Sequence, residues 1–335
     1  MTIGTIAVSG SIATDHLMRF PGRFADHILI GKLDRLSLSF LVDQLVVHRG
    51  GVAANIAYGM GLLGRRPLLL GAVGADFDDY RRRLEENRVI CDEVLVVESA
   101  HTGRFTCTTD ADECQIASFH PGAMSESKTI TIAPVHARHE ISLILIGACD
   151  PDAMITHTRQ ARSLGVDFAA DPSQQLPRLD GQQCRELIDG ARYLFTNEYE
   201  WQLLRERTRW SAEEITRRVG LRVTTLGRAG VEIADRDGLE LRIPAVPARE
   251  VLDPTGVGDG FRAGFLSGID AGLTPERAAQ LGALVAVLVI ETEGAQEWSI
   301  SEADLPRLAD AYGDDAVTEI APVLQYGRTS TVSAG

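Results

Sequence analysis

The chain of 335 residues carries 33 Lys and Arg against 47 Asp and Glu, which gives a formal net charge of −14 at pH 7. A field of that sign repels phosphate backbones and anionic lipid, so it disfavours nucleic acid and membrane surfaces as partners, although a local pocket of backbone N–H groups can still hold a small anion. The hydrophobic fraction of 44% is ordinary for a folded protein and argues against global disorder, and the length allows two domains or one large domain with an elaboration.

Short apolar runs alternate with amphipathic segments along most of the chain. Continuous runs, typical of strands buried on both faces, predict strands over residues 6–8, 68–70, 143–146, 166–170, 193–195 and 223–226. Helical spacing between them predicts helices over residues 53–63, 80–87, 154–164 and 198–208. Cap residues predict two more helix starts, after Ser211 and after Thr274. This order predicts an α/β fold, a three-layer core with a mainly parallel sheet and crossover connections.

Two segments depart from this rhythm and predict a smaller sheet. Residues 37–41 alternate apolar and polar side chains, and residues 105–109 and 115–119 flank a turn. Antiparallel strands with one exposed face fit both segments, so we expect a small sheet outside the main layer, within about residues 12–50 and 100–122. It would be either a lid over the ligand face of the core or an extra edge hairpin.

The remaining segments complete the expected organisation. A hairpin over residues 231–234 and 239–243, around Asp237-Gly238, is expected within the core. Small polar residues after Tyr326 predict a disordered tail over residues 327–335. Residues 1–326 would then form one unit, with the lid inserted in it.

Cysteine spacing and hydropathy bear on the compartment. The five cysteines are scattered and never form a C-x-x-C pair, so we expect neither a disulfide framework nor a zinc knuckle. The first nine residues resemble a strand more than a signal peptide, and the longest apolar stretch, residues 281–290, is about half the length that a membrane span needs. A cytoplasmic location is therefore the expectation.

The strongest candidate for chemistry is the segment Asp253-Pro-Thr-Gly-Val-Gly-Asp259-Gly-Phe. Gly256 and Gly258 permit backbone conformations that turn successive N–H groups into one concavity, and the following helix adds its unpaired first-turn N–H groups. Such an anion hole suits a phosphoryl group that carries developing charge. Asp259 at its mouth could accept the proton of an attacking hydroxyl, or it could simply cap the helix.

Four motifs in this chain resemble those of the ribokinase-type (PfkB) carbohydrate and nucleoside kinases. They are Arg49-Gly-Gly-Val-Ala-Ala-Asn55, Asn197-Glu-Tyr-Glu200 directly after a predicted strand, Thr225-Leu-Gly-Arg-Ala-Gly230, and the segment that begins at Asp253. Pro254, Val257 and Gly260 depart mildly from the family pattern without removing the anion hole or the aspartate. Within the family, residues 10–20, 104–109 and 171–175 make the chain similar to the actinobacterial adenosine kinases.

The resemblance implies a ribokinase-like fold with a lid, and phosphoryl transfer from ATP to adenosine to give ADP and AMP. It implies Asp259 as the base for the ribose 5′-hydroxyl, and Gly256, Val257 and Gly258 as the anion hole. The residues implied for the nucleoside are Ser11, Asp15, Ser39, Gly51, Asn55, Phe105, Phe119, Gln174, Gln175 and Asp259. Those implied for ATP are Asn197, Thr225, Leu226, Gly227, Arg228, Ala229, Gly230 and Gly258. Glu200 with Asn197 would hold Mg²⁺, and carbonyl groups near Asp253 a monovalent cation such as K⁺.

Some of these residues have physical reasons of their own. Asp15 follows the first strand, and one carboxylate can accept hydrogen bonds from both vicinal hydroxyls of a ribose. Phe105 and Phe119 lie on the predicted lid strands, and adenine needs an aromatic slot, although either ring could belong to the lid's own core. The partly exposed lid also has an edge to cover, which predicts a homodimer by lid-to-lid pairing.

Other functions remain open at this level. A ribose or fructose kinase, or a broader nucleoside kinase, would carry the same motifs. A nucleoside-binding regulator without catalysis is a candidate from another class, disfavoured by the intact Asp259. An NAD-dependent oxidoreductase is weaker still, because residues 9–14 lack the glycines that its fingerprint requires after the first strand.

Overall fold

The computed structural model describes residues 4–27 and 39–324. Its strands form an eight-stranded sheet, a four-stranded sheet and a two-stranded sheet that pairs residues 72–74 with 95–97. Their bounds are β1 Thr5–Ser9, β2 Ala13–Arg19, β3 Gln44–Gly50, β4 Leu68–Leu70, β5 Ala72–Gly74, β6 Leu95–Val97, β7 Gly103–Thr109, β8 Gln115–His120, β9 Ile141–Ile146, β10 Asp167–Ala170, β11 Tyr193–Asn197, β12 Leu221–Thr225, β13 Val231–Asp235 and β14 Glu240–Ile243.

Helices connect most of these strands. Their bounds are α1 Phe24–His27, α2 Val52–Leu62, α3 Asp78–Glu86, α4 Ile132–His139, α5 Pro151–Leu164, α6 Gly181–Ile188, α7 Glu198–Thr208, α8 Ala212–Arg218, α9 Val257–Asp270, α10 Pro275–Ile290, α11 Leu305–Tyr312 and α12 Asp314–Ile320. Short 3₁₀ helices include Gly122–Thr129, Ser173–Arg178 and Gly227–Ala229. The starts predicted at Ser211 and Thr274 are confirmed, because each hydroxyl accepts a first-turn N–H, from Glu214 and from Arg277.

The large sheet has eight strands in the order β14-β13-β12-β11-β10-β9-β1-β4. From β12 to β4 in this order, each strand is parallel to the next. At the other edge, β13 and β14 form the predicted hairpin, and β13 is antiparallel to both β14 and β12. The mainly parallel α/β core is thus confirmed.

Helices cover both faces of this sheet, which explains the continuous apolar runs. Along β9, Leu143 and Leu145 belong to a core cluster that includes side chains of α2 and α9. The alternate residues Ile144 and Ile146 belong to a second cluster, with side chains of α5, α6 and α7. Because each strand must be apolar on both sides, it lacks the alternation of a half-exposed strand.

A separate four-stranded sheet, in the order β3-β2-β7-β8, forms what we call the lid. The predicted pairing of residues 105–109 with 115–119 is confirmed, with Phe105 opposite Phe119. Contrary to an all-antiparallel expectation, β2 and β7 run parallel, because their connection passes through the core instead of a hairpin.

The strand expected over residues 37–41 is not found where the structure describes it. Residues 37 and 38 lie outside the described part, as does the tail predicted over residues 327–335, and residues 39–43 carry no strand. The lid strand begins at Gln44 instead. Its apolar run Leu45–Val47 is exposed and does not alternate, so it has neither the buried nor the half-buried pattern.

The apolar stretch over residues 281–290 lies in α10, where most of its side chains are buried in the core. Within residues 4–27 and 39–324, no helix is both long enough and apolar enough to cross a bilayer.

Candidate active site

A cavity of about 760 Å³ opens at the carboxyl ends of the parallel strands, between the core and the lid. Ser11 follows β1, Gln174 and Gln175 follow β10, Asn197 ends β11 and Thr225 ends β12. Parallel α/β sheets collect ligands at this edge because every crossover delivers a loop there. The remaining lining residues are Ala13, Asp15, Gly51, Val52, Asn55, Phe105, Phe119, Met124, Ala148, Ser173, Arg178, Glu200, Gly227, Thr255, Gly256, Gly258, Asp259 and Arg262.

The N-terminus of α9 has the backbone geometry expected of an anion hole. Gly256 caps this helix with φ 76°, a left-handed conformation, and a Cβ there would lie 2.4 Å from Cβ of Ala295. Both facts demand glycine. The first helical bond runs from Gly260 N–H to the Gly256 carbonyl, at 2.8 Å, so the earlier N–H groups of Gly258 and Asp259 have no acceptor within the helix. They and the helix dipole favour an anion at this end of the cavity.

Asp259 is not the helix cap that the alternative interpretation proposed. It is the third residue of α9, and Gly256 holds the cap position. Its Oδ2 accepts a hydrogen bond of 2.9 Å from Nδ2 of Asn55, at the start of α2. The carboxylate therefore lines the cavity beside the hole, where it can reach a substrate hydroxyl.

Burial raises the pKa of Asp259 to about 7. The Asn55 hydrogen bond and the Arg262 charge lower the pKa, whereas the negative charges of Asp171 and Glu200 raise it. A base with a pKa near the working pH is a strong proton acceptor that is still ionised in a useful fraction of molecules.

Arg262, which is not among the predicted site residues, is the buried cation of the site. Its Nη2 donates to Oδ1 of Asp171 at 2.6 Å, and its Nη1 donates to the carbonyl of Gly258 at 2.9 Å. Arg262 is 5% exposed and Asp171 is 1% exposed. The sequence feature that could have indicated Arg262 is its place within the apolar face of a helix, because a buried arginine needs a charged partner.

The candidate ribose side is built around Gly51, whose φ of 94° and closeness to the Ser11 carbonyl leave no room for a side chain. Oγ of Ser11 accepts the first N–H of α2, from Val52, at 3.0 Å. Asp15 lies on β2 beside this turn, and burial raises its pKa while the charge of His48 opposes the rise. Ser11, Asp15, Gly51 and Asn55 therefore share one wall of the cavity, as expected.

The aromatic side contains Phe105 and Phe119, paired across neighbouring lid strands. Phe119 is 49% exposed, so in this structure it is a rim residue. Gln175 is buried, whereas Gln174 is exposed and accepts a hydrogen bond from Ser173. The apolar lining residues Val52, Met124 and Ala148 were not predicted. Ser39 was predicted here, but it is exposed in the stretch before β3 and does not line the cavity.

The candidate nucleotide side brings together fewer of the predicted residues. Thr225 and Gly227 line the cavity. Leu226, Arg228, Ala229 and Gly230 do not, and neither does Val257 of the anion hole. Gly230 instead closes the turn into β13 by accepting the N–H of Leu226 at 2.8 Å. ATP binding by the other residues of this turn therefore stays a prediction.

Asn197 and Glu200 form a capping box at the start of α7. Each side chain accepts the backbone N–H of the other, at 2.8 Å in both cases. Glu200 is nevertheless a buried carboxylate that lines the cavity. In the described part of the chain no cluster of three or more His, Cys, Asp or Glu could hold a metal by itself. One carboxylate beside a phosphate path fits Mg²⁺, which takes its other ligands from substrate phosphates and water.

Asp253, near which a monovalent cation was expected, accepts two backbone N–H groups. Oδ1 accepts that of Thr255 at 2.8 Å and Oδ2 that of Gly294 at 3.0 Å. The second bond joins the loop before α9 to the loop after α10, and cation binding there stays a prediction.

Comparison of the sequence with known protein families identifies the family of this chain. Residues 13–303 match the family model described as pfkB family carbohydrate kinase. The chain belongs to the pfkB family. A nucleoside kinase from Methanocaldococcus jannaschii is 32% identical to this pfkB protein over 269 residues, which cover 80% of the chain and 87% of the relative.

Solved structures agree with this assignment. Burkholderia thailandensis nucleoside kinase in ligand-free form is 38% identical, covers 91% of this pfkB chain with 100% of its own, and superposes with a TM-score of 0.83. Its complex with inosine gives a TM-score of 0.79 at 37% identity, over 92% of this chain and 98% of that one. Cryptococcus neoformans ribokinase in complex with ADP, at 23% identity and a TM-score of 0.76 over 91% and 99% of the chains, shares the fold.

The pKa of Asp259 predicts the pH dependence of this kinase. The raised pKa keeps the proton on the carboxylate below about pH 7, so a base at this position would lose its ionised form as the pH falls. We expect kcat/KM for the acceptor to fall about tenfold per pH unit below that value, measured at saturating ATP and Mg²⁺. A rate that stays flat down to pH 5 would show that this carboxylate is not the base.

Proposed function

We propose that this pfkB kinase phosphorylates adenosine, transferring the γ-phosphoryl group of ATP to the ribose 5′-hydroxyl to give ADP and AMP. The observation that carries the proposal is the position of Asp259. It lies beside the anion hole of α9, and its carboxylate is bonded to Asn55, on the wall that also holds Asp15 and Gly51. A base between a phosphate site and a polyol site fits direct transfer between two bound substrates.

In this mechanism Asp259 accepts the proton of the 5′-hydroxyl as its oxygen attacks the γ-phosphorus. The new O–P bond forms on one side while the bond to the β–γ bridging oxygen breaks on the other, and ADP leaves with that electron pair. The first-turn N–H groups of α9 donate to the phosphoryl oxygens and stabilise the charge that develops there. Glu200 would hold Mg²⁺, which when bound supplies neutralising charge to the ATP phosphates.

Adenosine is favoured over a simple sugar by the aromatic side of the cavity. A ribokinase needs room and hydroxyl acceptors for a pentose, but this cavity adds Phe105, Phe119 and the apolar Met124. Aromatic rings are suited to stacking on a purine. The buried amide of Gln175 offers a donor and an acceptor for the base edge, and its Oε1 lies 3.4 Å from Nη1 of Arg178.

A broader purine nucleoside kinase is the second candidate. It is favoured by the inosine complex of the Burkholderia thailandensis nucleoside kinase, which is 37% identical to this chain. Adenine and hypoxanthine differ at the 6-position, where an amide side chain can serve either an amino group or a carbonyl by rotating.

The lid would close the site over the nucleoside. Phe105 and Phe119 belong to the lid strands β7 and β8, whereas Asp259 and the anion hole belong to the core. Closure of one onto the other would exclude water that could otherwise accept the phosphoryl group.

An acceptor panel tests the function. Purified protein and Asp259→Asn are assayed for ADP production from ATP and Mg²⁺ with adenosine, inosine, guanosine, ribose and fructose in parallel. We expect turnover on adenosine that falls by about 10²-fold or more in Asp259→Asn. Turnover on ribose or fructose with adenosine inert would keep the base and overturn the substrate. Binding of adenosine without turnover on any acceptor would identify a regulator.

Phe105→Ala tests the aromatic slot. Loss of base stacking should lower kcat/KM for adenosine by about 10- to 100-fold and leave any activity on ribose unchanged. Thr106→Ala is the matched control, because the next residue on β7 points to the opposite face of the lid. An equal loss for both substrates, or an equal loss in the control, would contradict a role in holding the base.

We also propose that the protein forms a homodimer through the lid. Leu45, Val46 and Val47 on β3, with Ile116 on β8, are each 44–57% exposed in the described structure. Pairing of two lids would cover these side chains and the edges of the sheet. Sedimentation equilibrium should give twice the mass of 36.3 kDa, and a monomer mass at all working concentrations would refute the dimer.

A further inference from the structure

The amide of Asn55 is held from two sides. Its Nδ2 donates to Oδ2 of Asp259, and its Oδ1 accepts a hydrogen bond of 2.9 Å from Nε2 of Gln296. Gln296 lies in the loop after α10, is 1% exposed and does not line the cavity. An asparagine amide can present either its N–H or its carbonyl to a neighbour, so its partner on the far side decides which one Asp259 meets.

The direction of these bonds is set by a backbone carbonyl. The hydroxyl of Tyr80, on α3, lies 2.9 Å from the carbonyl oxygen of Gly50. A carbonyl can only accept, so Tyr80 must donate its single proton there. Its oxygen is then left as an acceptor for Nε2 of Gln296, at 2.5 Å. The nitrogen of Gln296 must therefore face Tyr80 and Asn55, and Asn55 must turn its N–H toward Asp259.

The backbone of this loop is also fixed. Nη2 of Arg83, one turn beyond Tyr80 on α3, donates to the carbonyl of Gln296 at 2.9 Å and to the carboxylate of Glu297 at 3.0 Å. Gln296 is thereby held in place through its main chain as well as its side chain. Its Oε1 is buried and has no hydrogen-bond partner among the described residues, which is a cost that an apolar side chain would avoid.

We propose that Gln296 is a positioning residue for the base: it fixes the Asn55 amide so that its N–H, and not its carbonyl, faces the Asp259 carboxylate. The inference rests on the proposed function of Asp259 as the base. A carbonyl in that place would repel the ionised carboxylate, whereas an N–H stabilises it. Gln296 acts through Asn55 and touches neither substrate.

Other charged groups around Asp259 belong to different elements and are not altered by a change at Gln296. Arg262 faces it from its own helix, Asp171 from the loop after β10 and Glu200 from α7. Within the described structure, Asn55 is the hydrogen-bond partner that Gln296 shares with Asp259. A neutral substitution at Gln296 should therefore reach the base through the Asn55 amide alone.

Gln296→Met tests the proposal, because methionine matches the length of glutamine, adds no charge and donates no hydrogen bond. We expect the acid limb of kcat/KM to move up by about one pH unit, so that the rate falls about tenfold at pH 6 and stays within about twofold of wild type at pH 9. Tyr80→Phe should move the acid limb in the same direction but by less than Gln296→Met does, because the Gln296–Asn55 bond remains. Glu297→Gln removes a charge next to Gln296 but keeps an oxygen that can accept from Arg83, so it should leave the profile unchanged.

A purely structural role predicts another result. An equal fall in kcat/KM at pH 6 and pH 9, or no change at either, would overturn the proposal. In an Asn55→Ala background, Gln296→Met should cause no further shift, and a further shift would also overturn it. If Gln296→Met does not fold, the shift expected for Tyr80→Phe decides the question. Failure of the proposed function is seen separately, as turnover that survives in Asp259→Asn.

Discussion

The active site depends on one buried cation. Arg262 stands among three carboxylates, those of Asp171, Glu200 and Asp259, in a place where a charge without a partner would be costly. Its guanidinium bridges Asp171, after β10, and the Gly258 carbonyl in the first turn of α9. Arg262 thus connects the first turn of α9, the candidate phosphate site, to the loop that carries Gln174 and Gln175, the candidate site for the nucleobase.

The same balance of charges explains why the Asp259 carboxyl is a weaker acid than an ordinary aspartate. Three carboxylates against one guanidinium leave the cluster negative, and burial adds to the cost of ionising Asp259. Because its folded pKa lies above the ordinary value of 3.8, the fold gains from the proton at low pH and loses that gain as the pH rises toward 7. The folded protein is therefore less stable with Asp259 ionised, which is the state that the proposed role as base requires.

The sequence predicted the core well because its signals are local. The run Leu143–Ile146 must be apolar at every position to serve clusters on both faces of the sheet, and Gly256 needs both its left-handed φ and its missing Cβ. The lid strand β3 and the Arg262–Asp171 pair gave no such pattern. Arg262 and Asp171 are 91 positions apart in the sequence, and Asn55 and Gln296 are 241 positions apart. Each bond joins two single polar side chains, and no periodic sequence pattern links them. Such contacts are visible only once the fold has brought their elements together.

The hydrogen-bond chain behind Asp259 also joins the base to the lid. Gly50, whose carbonyl sets the direction of the chain, is the last residue of the lid strand β3, and Gly51 then begins the turn into α2. Because this carbonyl belongs to β3, the position of the lid strand is coupled to the hydrogen bonds that orient Asn55. These hydrogen bonds fix the orientation of each group and carry no charge, since every group before the Asp259 carboxylate is neutral. In the proposed mechanism, β3 would therefore belong both to the lid that closes over the nucleoside and, through the Gly50 carbonyl, to the contacts that turn the Asn55 N–H toward Asp259.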